Sequence, residues 1–293
     1  MKRICSITPV HFDAKEMICD LVRDMPDVVS CIYLVGNGVD LISSLEEFKC
    51  TDKRIEIVEI KYQVGKLEAV RQALEFIIKN TDYEVIAQTD IRLKQSPSEI
   101  DNLLSAMSEE KKEMILSDRY LCQDMNGQKH RLSIVAMLSV IMSSVTDFNY
   151  ADLLCGTRVY TRQLAEKFLH MRGFGYGIEV EQFMISKLTG ASIGWVPISS
   201  NRQDDITNAE KIEDSLYTIL SYLHEFSVSN VVRESICNIL VQVKMRKSFI
   251  VNLEDFGRIG NIKWNYIDND VISRVSIYSG QGVSDGYNLN LLY

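Results

Sequence analysis

The sequence has seven cysteines but no C-x-x-C pair, and no histidine pair stands at the spacing of a zinc site. Single, scattered cysteines, several of them inside apolar runs, are typical of reduced thiols in a cytoplasmic protein and argue against a disulfide framework. His130, His170 and His224 have no second histidine or cysteine at metal-ligand spacing, so we interpret them as surface or helix residues.

No stretch has the pattern of a membrane span or of an export signal. The most apolar stretch, residues 132–145, is shorter than the roughly 18 residues that a span requires, and serines interrupt it. Lys2 and Arg3 lead straight into a strand-like run without a small-residue cleavage site. We therefore expect a cytoplasmic protein without a transmembrane segment.

Two common phosphate-binding motifs are missing as well. Neither G-x-x-x-x-G-K-[ST] nor G-x-G-x-x-G occurs, so the P-loop and the Rossmann dinucleotide site lose their main support. The net charge of −8 argues against nucleic acid as a partner, because broad nucleic-acid binding needs an electropositive face. We expect instead one local site for a small anionic ligand.

Short apolar runs alternate with segments of helical periodicity over the first two thirds of the chain. This alternation predicts βαβ units and an α/β fold, with a mostly parallel central sheet flanked by helices. An apolar helix is predicted at 131–146, and a glycine turn between polar residues at 152–162. The predicted strands are 4–9, 28–35, 55–60, 85–87, 114–116 and 193–198.

From about residue 207 the pattern changes. Residues 212–226 and 231–245 have helical periodicity and contain neither proline nor glycine. Residues 249–293 are rich in Asn, Asp, Gly and Ser, with short β-like runs such as 271–278. We predict a catalytic and ligand-binding domain at 1–206 and a C-terminal appendage at 207–293, whose helices would supply core packing or a homo-oligomer contact.

Polar residues follow four of the predicted strands or turns, at 11–13, 37–40, 88–92 and 118–119. Because the carboxyl ends of parallel strands meet at one edge of a sheet, we expect these groups to converge on one crevice. Asp90 stands where the fourth strand stops, although an ordinary turn aspartate has the same pattern. Gly65 and Lys66 open a helix, where amide groups and an ammonium hold anions.

The order of these pieces resembles the family 2 glycosyltransferases with a GT-A fold, most nearly the polyprenyl-phosphate mannose or glucose synthase type, from about residue 4 to 202. The most specific piece is 152–160, D-L-L-C-G-T-R-V-Y, which is similar to D-x-x-x-G-F-R-x-Y. Residues 65–71 are similar to G-K-G-x-A-x-R, and 117–120 to G-S-R-Y. The segment from Asp90 resembles the D-x-D segment, with Arg92 in place of the second aspartate.

This resemblance implies transfer of a sugar from a UDP-sugar or a GDP-sugar such as GDP-mannose to an acceptor that the sequence does not identify. A carboxylate that takes the acceptor's proton would be Asp152, Glu179 or Glu181, with Glu181 and Asp152 ranked first, and Asp90 is a further catalytic candidate. The alternative for 175–181 is a loop leading into a surface helix. The residues implied in donor binding are Pro9, His11, Asp13, Asn37, Lys66, Asp90, Arg92, Arg119, Arg131 and Arg202.

The metal and the stereochemistry stay open at this point. Asp90 is the candidate ligand for Mn²⁺ or Mg²⁺, which bind through carboxylates and substrate phosphates, whereas Arg92 would neutralise the diphosphate without an ion. Inversion is favoured, but a similar G-Y-G-[VI]-E stretch is found in retaining sugar-phosphoglycerate synthases.

The alternative hypotheses for the function are an inactive GT-A domain that binds nucleotide sugars or serves as a scaffold, and a sugar-phosphate nucleotidyltransferase. The latter would have glycines and arginines after its first strand, where residues 8–13 have no glycine.

Overall fold

The computed structural model describes residues 3–10, 17–38, 43–91, 97–118, 129–148, 152–198, 209–244, 249–252, 274–279 and 287–291. These residues form a seven-stranded sheet between helices and a separate three-stranded sheet. The strands of the large sheet are β1 (Ile4–Val10), β2 (Val29–Asn37), β3 (Ile55–Ile60), β4 (Val85–Gln88), β5 (Met114–Asp118), β6 (Arg158–Thr161) and β7 (Ile193–Pro197).

Eight α-helices lie within the described residues, together with short 3₁₀ turns at Glu46–Cys50 and Leu223–Glu225. The helices are α1 (Ile18–Arg23), α2 (Lys66–Asn80), α3 (Pro97–Glu109), α4 (Lys129–Thr146), α5 (Arg162–Phe168), α6 (Ile178–Leu188), α7 (Ala209–Tyr222) and α8 (Asn230–Lys244).

The strand order in the large sheet is β3-β2-β1-β4-β6-β5-β7. Strands β1 to β4 are parallel, β5 is parallel to β7, and β6 runs antiparallel to both of its neighbours, β4 and β5. The prediction of a mostly parallel sheet is thus confirmed. The reversal of β6 has a consequence for the site, because its first residue, Arg158, lies at the edge where β4 and β5 end.

Both faces of the large sheet are covered, as its alternating side chains require. On β1 and β2, Ile7 and Tyr33 pack in one hydrophobic cluster with α2, α4, α5 and α6. Ile4 and Leu34 pack in the other cluster, with α1 and α3. Strands that are buried on both faces have nearly continuous apolar sequences, which is why the sequence predicted β1 and β2.

The C-terminal helices α7 and α8 pack in the same hydrophobic cluster as α2, through residues such as Ile212 and Ile236. The small antiparallel sheet is formed by β8 (Phe249–Asn252), β9 (Arg274–Ser279) and β10 (Tyr287–Leu291), and the backbones of β9 and β10 lie beside α4. A domain boundary near residue 206 stays a prediction. None of the described helices combines the length and the apolar character needed to cross a bilayer.

Candidate functional site

Lys66 brings together two carboxylates that lie far apart in the sequence. It is the first residue of α2, after Gly65, whose φ of 80° lies in the region that favours glycine. Its Nζ donates to Glu179 Oε1 at 2.6 Å and lies 3.7 Å from Asp90 Oδ2. The side chains of Lys66, Asp90 and Glu179 are 12%, 24% and 6% exposed, so this cluster is largely shielded from water but open on the side of Asp90.

The charge on Lys66 is set by two opposing effects. Burial alone lowers the pKa of its ammonium, but the carboxylates of Glu179 and Asp90 outweigh that effect, and the pKa is raised above its ordinary value. The guanidinium of Arg158 acts in the lowering direction. Lys66 is therefore a fixed positive charge at neutral pH.

Gly156 lies directly against the carboxylates of this cluster. A Cβ at this position would lie 3.3 Å from Asp90 Oδ2 and 3.3 Å from Glu179 Oε1, so a larger residue would press on both carboxylates. The Gly156 carbonyl accepts a long hydrogen bond, 3.4 Å, from Gln88 Nε2. The turn before β6 thus approaches the end of β4 and the start of α6 as closely as a backbone allows.

Arg158 links the turn that contains Gly156 to the start of α6. It was absent from the predicted site residues. It is 1% exposed, and its Nη1 and Nη2 donate to the carbonyls of Glu179 and Cys155 at 3.0 and 2.5 Å. The buried Nε has no hydrogen-bond partner in the described part of the chain. The signal that could have found Arg158 is the D-x-x-x-G-x-R motif, in which it is the arginine.

Gln88 belongs to the 88–92 segment that was expected at the crevice, but the sequence assigned it no role in catalysis or binding. Its buried Oε1 accepts hydrogen bonds from Tyr160 Oη at 3.1 Å and from Gln182 Nε2 at 2.8 Å. Burial raises the pKa of the Tyr160 phenol, so the hydroxyl stays protonated and remains a donor. These bonds tie the end of β4 to β6 and α6, and they orient the Gln88 amide toward Gly156.

Glu181 is placed differently from Glu179. It is fully buried, and its Oε1 accepts from the Arg172 amide at 2.6 Å and from Tyr222 Oη at 2.6 Å. The Gly173 amide donates to both carboxylate oxygens at 3.0 Å. The helix that carries these glutamates, α6, is buried from Ile178 to Ser186 and is therefore not the surface helix that the alternative interpretation expected.

The other described candidates lie at the same edge of the sheet. Pro9 is buried in the last part of β1, opposite Val35 of β2. Asn37 ends β2, and its Oδ1 accepts from the Val64 amide at 2.9 Å. Asp152 is fully buried in the turn before β6. His11, Asp13, Arg92, Arg119 and Arg202 lie outside the described residues, as does the side chain of Arg131 in α4.

A divalent cation would find few protein ligands in the described part of the chain. No group of three or more His, Cys, Asp or Glu residues there is arranged to hold a metal ion. The two nearby carboxylates, Asp90 and Glu179, have the Lys66 ammonium between them. The partly exposed Asp90 nevertheless fits an ion that takes its remaining ligands from substrate phosphates, which is how Mg²⁺ is usually held.

Comparison with known proteins shows the fold. No protein-family model and no curated protein matches the sequence. Glucosyl-3-phosphoglycerate synthase from Mycobacterium tuberculosis, in complex with Mn²⁺, UDP and glucosyl-3-phosphoglycerate, has a TM-score of 0.57 and 15% identity, with 78% of this chain and 81% of that chain covered. Its complex with Mn²⁺, UDP-glucose and phosphoglyceric acid gives 0.58 and 16% over the same shares.

A further structure, described as a mycobacterial protein, has a TM-score of 0.56 at 17% identity, over 78% of this chain and 76% of that chain. Together these structures show that the chain has the GT-A fold of nucleotide-sugar glycosyltransferases, as the sequence predicted. The finer assignment to the polyprenyl-phosphate mannose or glucose synthase type stays a prediction.

Proposed function

We propose that this protein is a glycosyltransferase that moves a sugar from a UDP-sugar or GDP-sugar to an acceptor. The observation that supports this most is the cluster of Lys66, Asp90 and Glu179 around Gly156, at the carboxyl edge of a GT-A sheet. Ligands of open α/β sheets bind at this edge. The similar mycobacterial enzyme binds UDP-glucose and Mn²⁺ in its crystals, which favours UDP-glucose as the first donor to test.

In the proposed reaction, the bond between the sugar C1 and the diphosphate oxygen breaks, and a bond from C1 to an acceptor oxygen forms. The bonding electrons leave with the nucleoside diphosphate, and the acceptor proton passes to a carboxylate. Negative charge grows on the diphosphate in the transition state, so fixed positive charge nearby lowers the barrier. Lys66 supplies such a charge, since its ammonium is held in place by Glu179 at 2.6 Å.

Glu179 is our candidate for the base, ahead of Glu181 and Asp152. Its carboxylate lies beside Gly156 and Lys66, on the side of the cluster that faces Asp90. Both oxygens of Glu181 accept hydrogen bonds from backbone amides, and Asp152 is fully buried, so neither presents a carboxylate to a substrate without rearrangement. This order differs from the sequence-based ranking, which placed Glu181 and Asp152 first.

Asp90 would hold a Mn²⁺ or Mg²⁺ ion together with the donor phosphates, and that ion would neutralise charge on the leaving diphosphate. Arg92 is the competing source of positive charge at this position, as a bidentate partner of the phosphates. Inversion at C1 is our working assignment, and proton NMR of the product's anomeric coupling tests it.

The function is tested by incubating the protein with UDP- and GDP-sugars, with and without Mn²⁺, and measuring release of nucleoside diphosphate. We expect release with at least one donor and an increase when an acceptor panel is added. That panel includes phosphoglyceric acid, which the similar enzyme binds, and a polyprenyl phosphate. Glu179→Gln is expected to lower turnover about 10²-fold or more, whereas Glu75→Gln, at an exposed site on α2, should leave it unchanged.

Two results would contradict the proposal in different ways. Nucleotide-sugar binding by calorimetry without any turnover would favour the alternative of an inactive GT-A domain that acts as a binding or scaffold protein. If the protein shows no binding and no turnover at millimolar donor concentration, the glycosyltransferase assignment is wrong.

A further inference from the structure

The segment 172–177, R-G-F-G-Y-G, which we call the glycine loop, has a glycine at every second position. A Cβ on Gly173 would collide with Glu181 of α6, and the other two glycines lie against α7. A Cβ on Gly175 would collide with the carboxylate of Asp214, and φ at Gly175 is 59°. A Cβ on Gly177 would collide with the hydroxyl of Thr218. Since Asp214 and Thr218 are one helical turn apart on α7, the loop lies directly on one face of that helix.

Specific polar contacts hold the glycine loop in this position. Asp214 Oδ2 accepts from the Tyr176 amide at 2.8 Å. Tyr222, the last residue of α7, donates its hydroxyl to Glu181, whose carboxylate accepts the amides at the start of the loop. The guanidinium of Arg172 lies 3.9 Å from the centre of the Tyr222 ring and forms an ion pair with Glu225.

The other side of the glycine loop adjoins the first turns of α2 and α6, the helices that carry Lys66 and Glu179. The Gly175 carbonyl accepts from the Leu67 amide at 3.1 Å, and Leu67 follows Lys66 in the first turn of α2. At its end, Gly177 is the N-cap of α6, whose second residue is Glu179. The loop therefore connects α7 to the backbone on both sides of the Lys66–Glu179 ion pair.

We propose that Tyr222 and Asp214 of α7 are positioning residues, which fix the glycine loop and thereby hold Lys66 and Glu179 at their working separation. This inference rests on the proposed glycosyl transfer. It assigns a role in the reaction to a helix that follows the sheet in the sequence. Asp214 bonds to the loop backbone at Tyr176, and Tyr222 bonds to the Glu181 carboxylate that holds the first loop amides, so we expect the effect of removing them to pass through the loop backbone.

Tyr222→Phe is the sharpest test, because it removes only the hydroxyl and keeps the ring under Arg172. We expect kcat to fall about 10-fold, since small misplacements of catalytic groups cost that much or more, while the donor KM changes less than about 3-fold. Ser215→Ala is the matched control, because its hydroxyl bonds to Lys211 within α7. A lower melting temperature with unchanged kcat would show a merely structural role and overturn the proposal.

A second measurement does not depend on activity. Amide hydrogen exchange at Leu67 and Tyr176 should be roughly 10-fold faster in Asp214→Leu than in the wild-type protein, because each loses hydrogen-bond protection. Asp214→Asn keeps an acceptor oxygen and should restore slow exchange. Unchanged exchange in Asp214→Leu would refute the proposal that α7 fixes the glycine loop. If no donor supports turnover but exchange behaves as expected, the role of α7 in fixing the glycine loop is supported and the proposed reaction is wrong.

Discussion

Replacing Lys66 by methionine removes the ammonium that lies between Glu179 and Asp90 and leaves an apolar side chain of similar length. In the wild-type protein the Glu179 carboxylate is 6% exposed and bonded to Lys66 at 2.6 Å. Removing one partner of a buried ion pair strands the other charge and costs about 3–5 kcal/mol of unfolding free energy. We expect a decrease in melting temperature of roughly 10 °C for a chain of this size, measured by thermal denaturation at pH 7.

Two further variants separate the ion pair from a general effect of mutation on α2. Lys79→Met removes an exposed lysine near the end of the same helix, which pairs with Glu75, and should cost less than about 0.5 kcal/mol. Lys66→Met combined with Glu179→Leu replaces both charges by apolar groups. The double variant should regain roughly 2 kcal/mol or more over Lys66→Met, since the more deeply buried carboxylate is gone and only the partly exposed Asp90 is left without the ammonium.

The pH dependence follows from the direction of the Lys66 shift. Because the folded-state pKa of Lys66 is raised above its unfolded value, its contribution to stability is complete below that unfolded value, about 10.4. The contribution is lost as the pH rises through the raised pKa. The stability difference between wild type and Lys66→Met should thus be constant from pH 6 to about 9 and shrink above about pH 10.5. A loss below about 1 kcal/mol at pH 7, with no recovery in the double variant, would refute the buried ion pair.

Asp90→Ala should abolish turnover and leave the melting temperature within a few degrees, because a carboxylate at the sheet edge contributes little to the core; loss of folding would instead support an ordinary turn role. Gly156→Ala should lower kcat about 10-fold with under about 1 kcal/mol of destabilisation, because its Cβ would press on Asp90 and Glu179, 3.3 Å away. If Arg92 neutralises the diphosphate, activity should survive EDTA, and Arg92→Asp should become dependent on Mn²⁺; chelation that silences the wild type, with rescue by Mn²⁺, would contradict this reading. Glu181→Leu, which removes the acceptor of two backbone amides and one hydroxyl, should unfold at a clearly lower temperature, and an unchanged melting temperature would contradict its structural role.

The sequence predicted the central parallel strands β1, β2 and β4 well because they are buried on both faces along most of their length and are therefore mainly apolar. It missed β6, where R-V-Y-T begins with an arginine and is only four residues long. An arginine normally argues against a buried strand, since its charge must find partners. Here the carbonyls of Cys155 and Glu179 satisfy the Arg158 guanidinium. Both contacts depend on tertiary structure, and no local pattern reveals them.

The sequence placed Lys66 and Asp90 at one edge of the sheet, and the structure brings them within 3.7 Å of each other. It ranked Glu181 ahead of Glu179, whereas in the structure Glu179 is the glutamate bonded to Lys66. The two glutamates are two residues apart in the first turn of α6, so their side chains point to different sides of the helix. Only the rotation of α6 about its axis decides which of them reaches Lys66. That rotation is set by the packing of α6 against α7 and by its hydrogen bonds to Gln88 of β4 and Arg158 of β6.

The same limit applies to α7, which the sequence assigned to a C-terminal appendage. Its helical periodicity shows that one face is apolar but not which surface that face will cover. A signal was nevertheless present in the glycine loop, where three glycines at alternate positions indicate that the backbone lies close against neighbouring elements. The structure identifies one of these elements as α7, with Asp214 and Thr218 in the space that side chains on Gly175 and Gly177 would need. A truncation at the predicted boundary near residue 206 would therefore remove the surface that orders the loop beside Lys66, and the shortened chain should bind the donor weakly even where its sheet still folds.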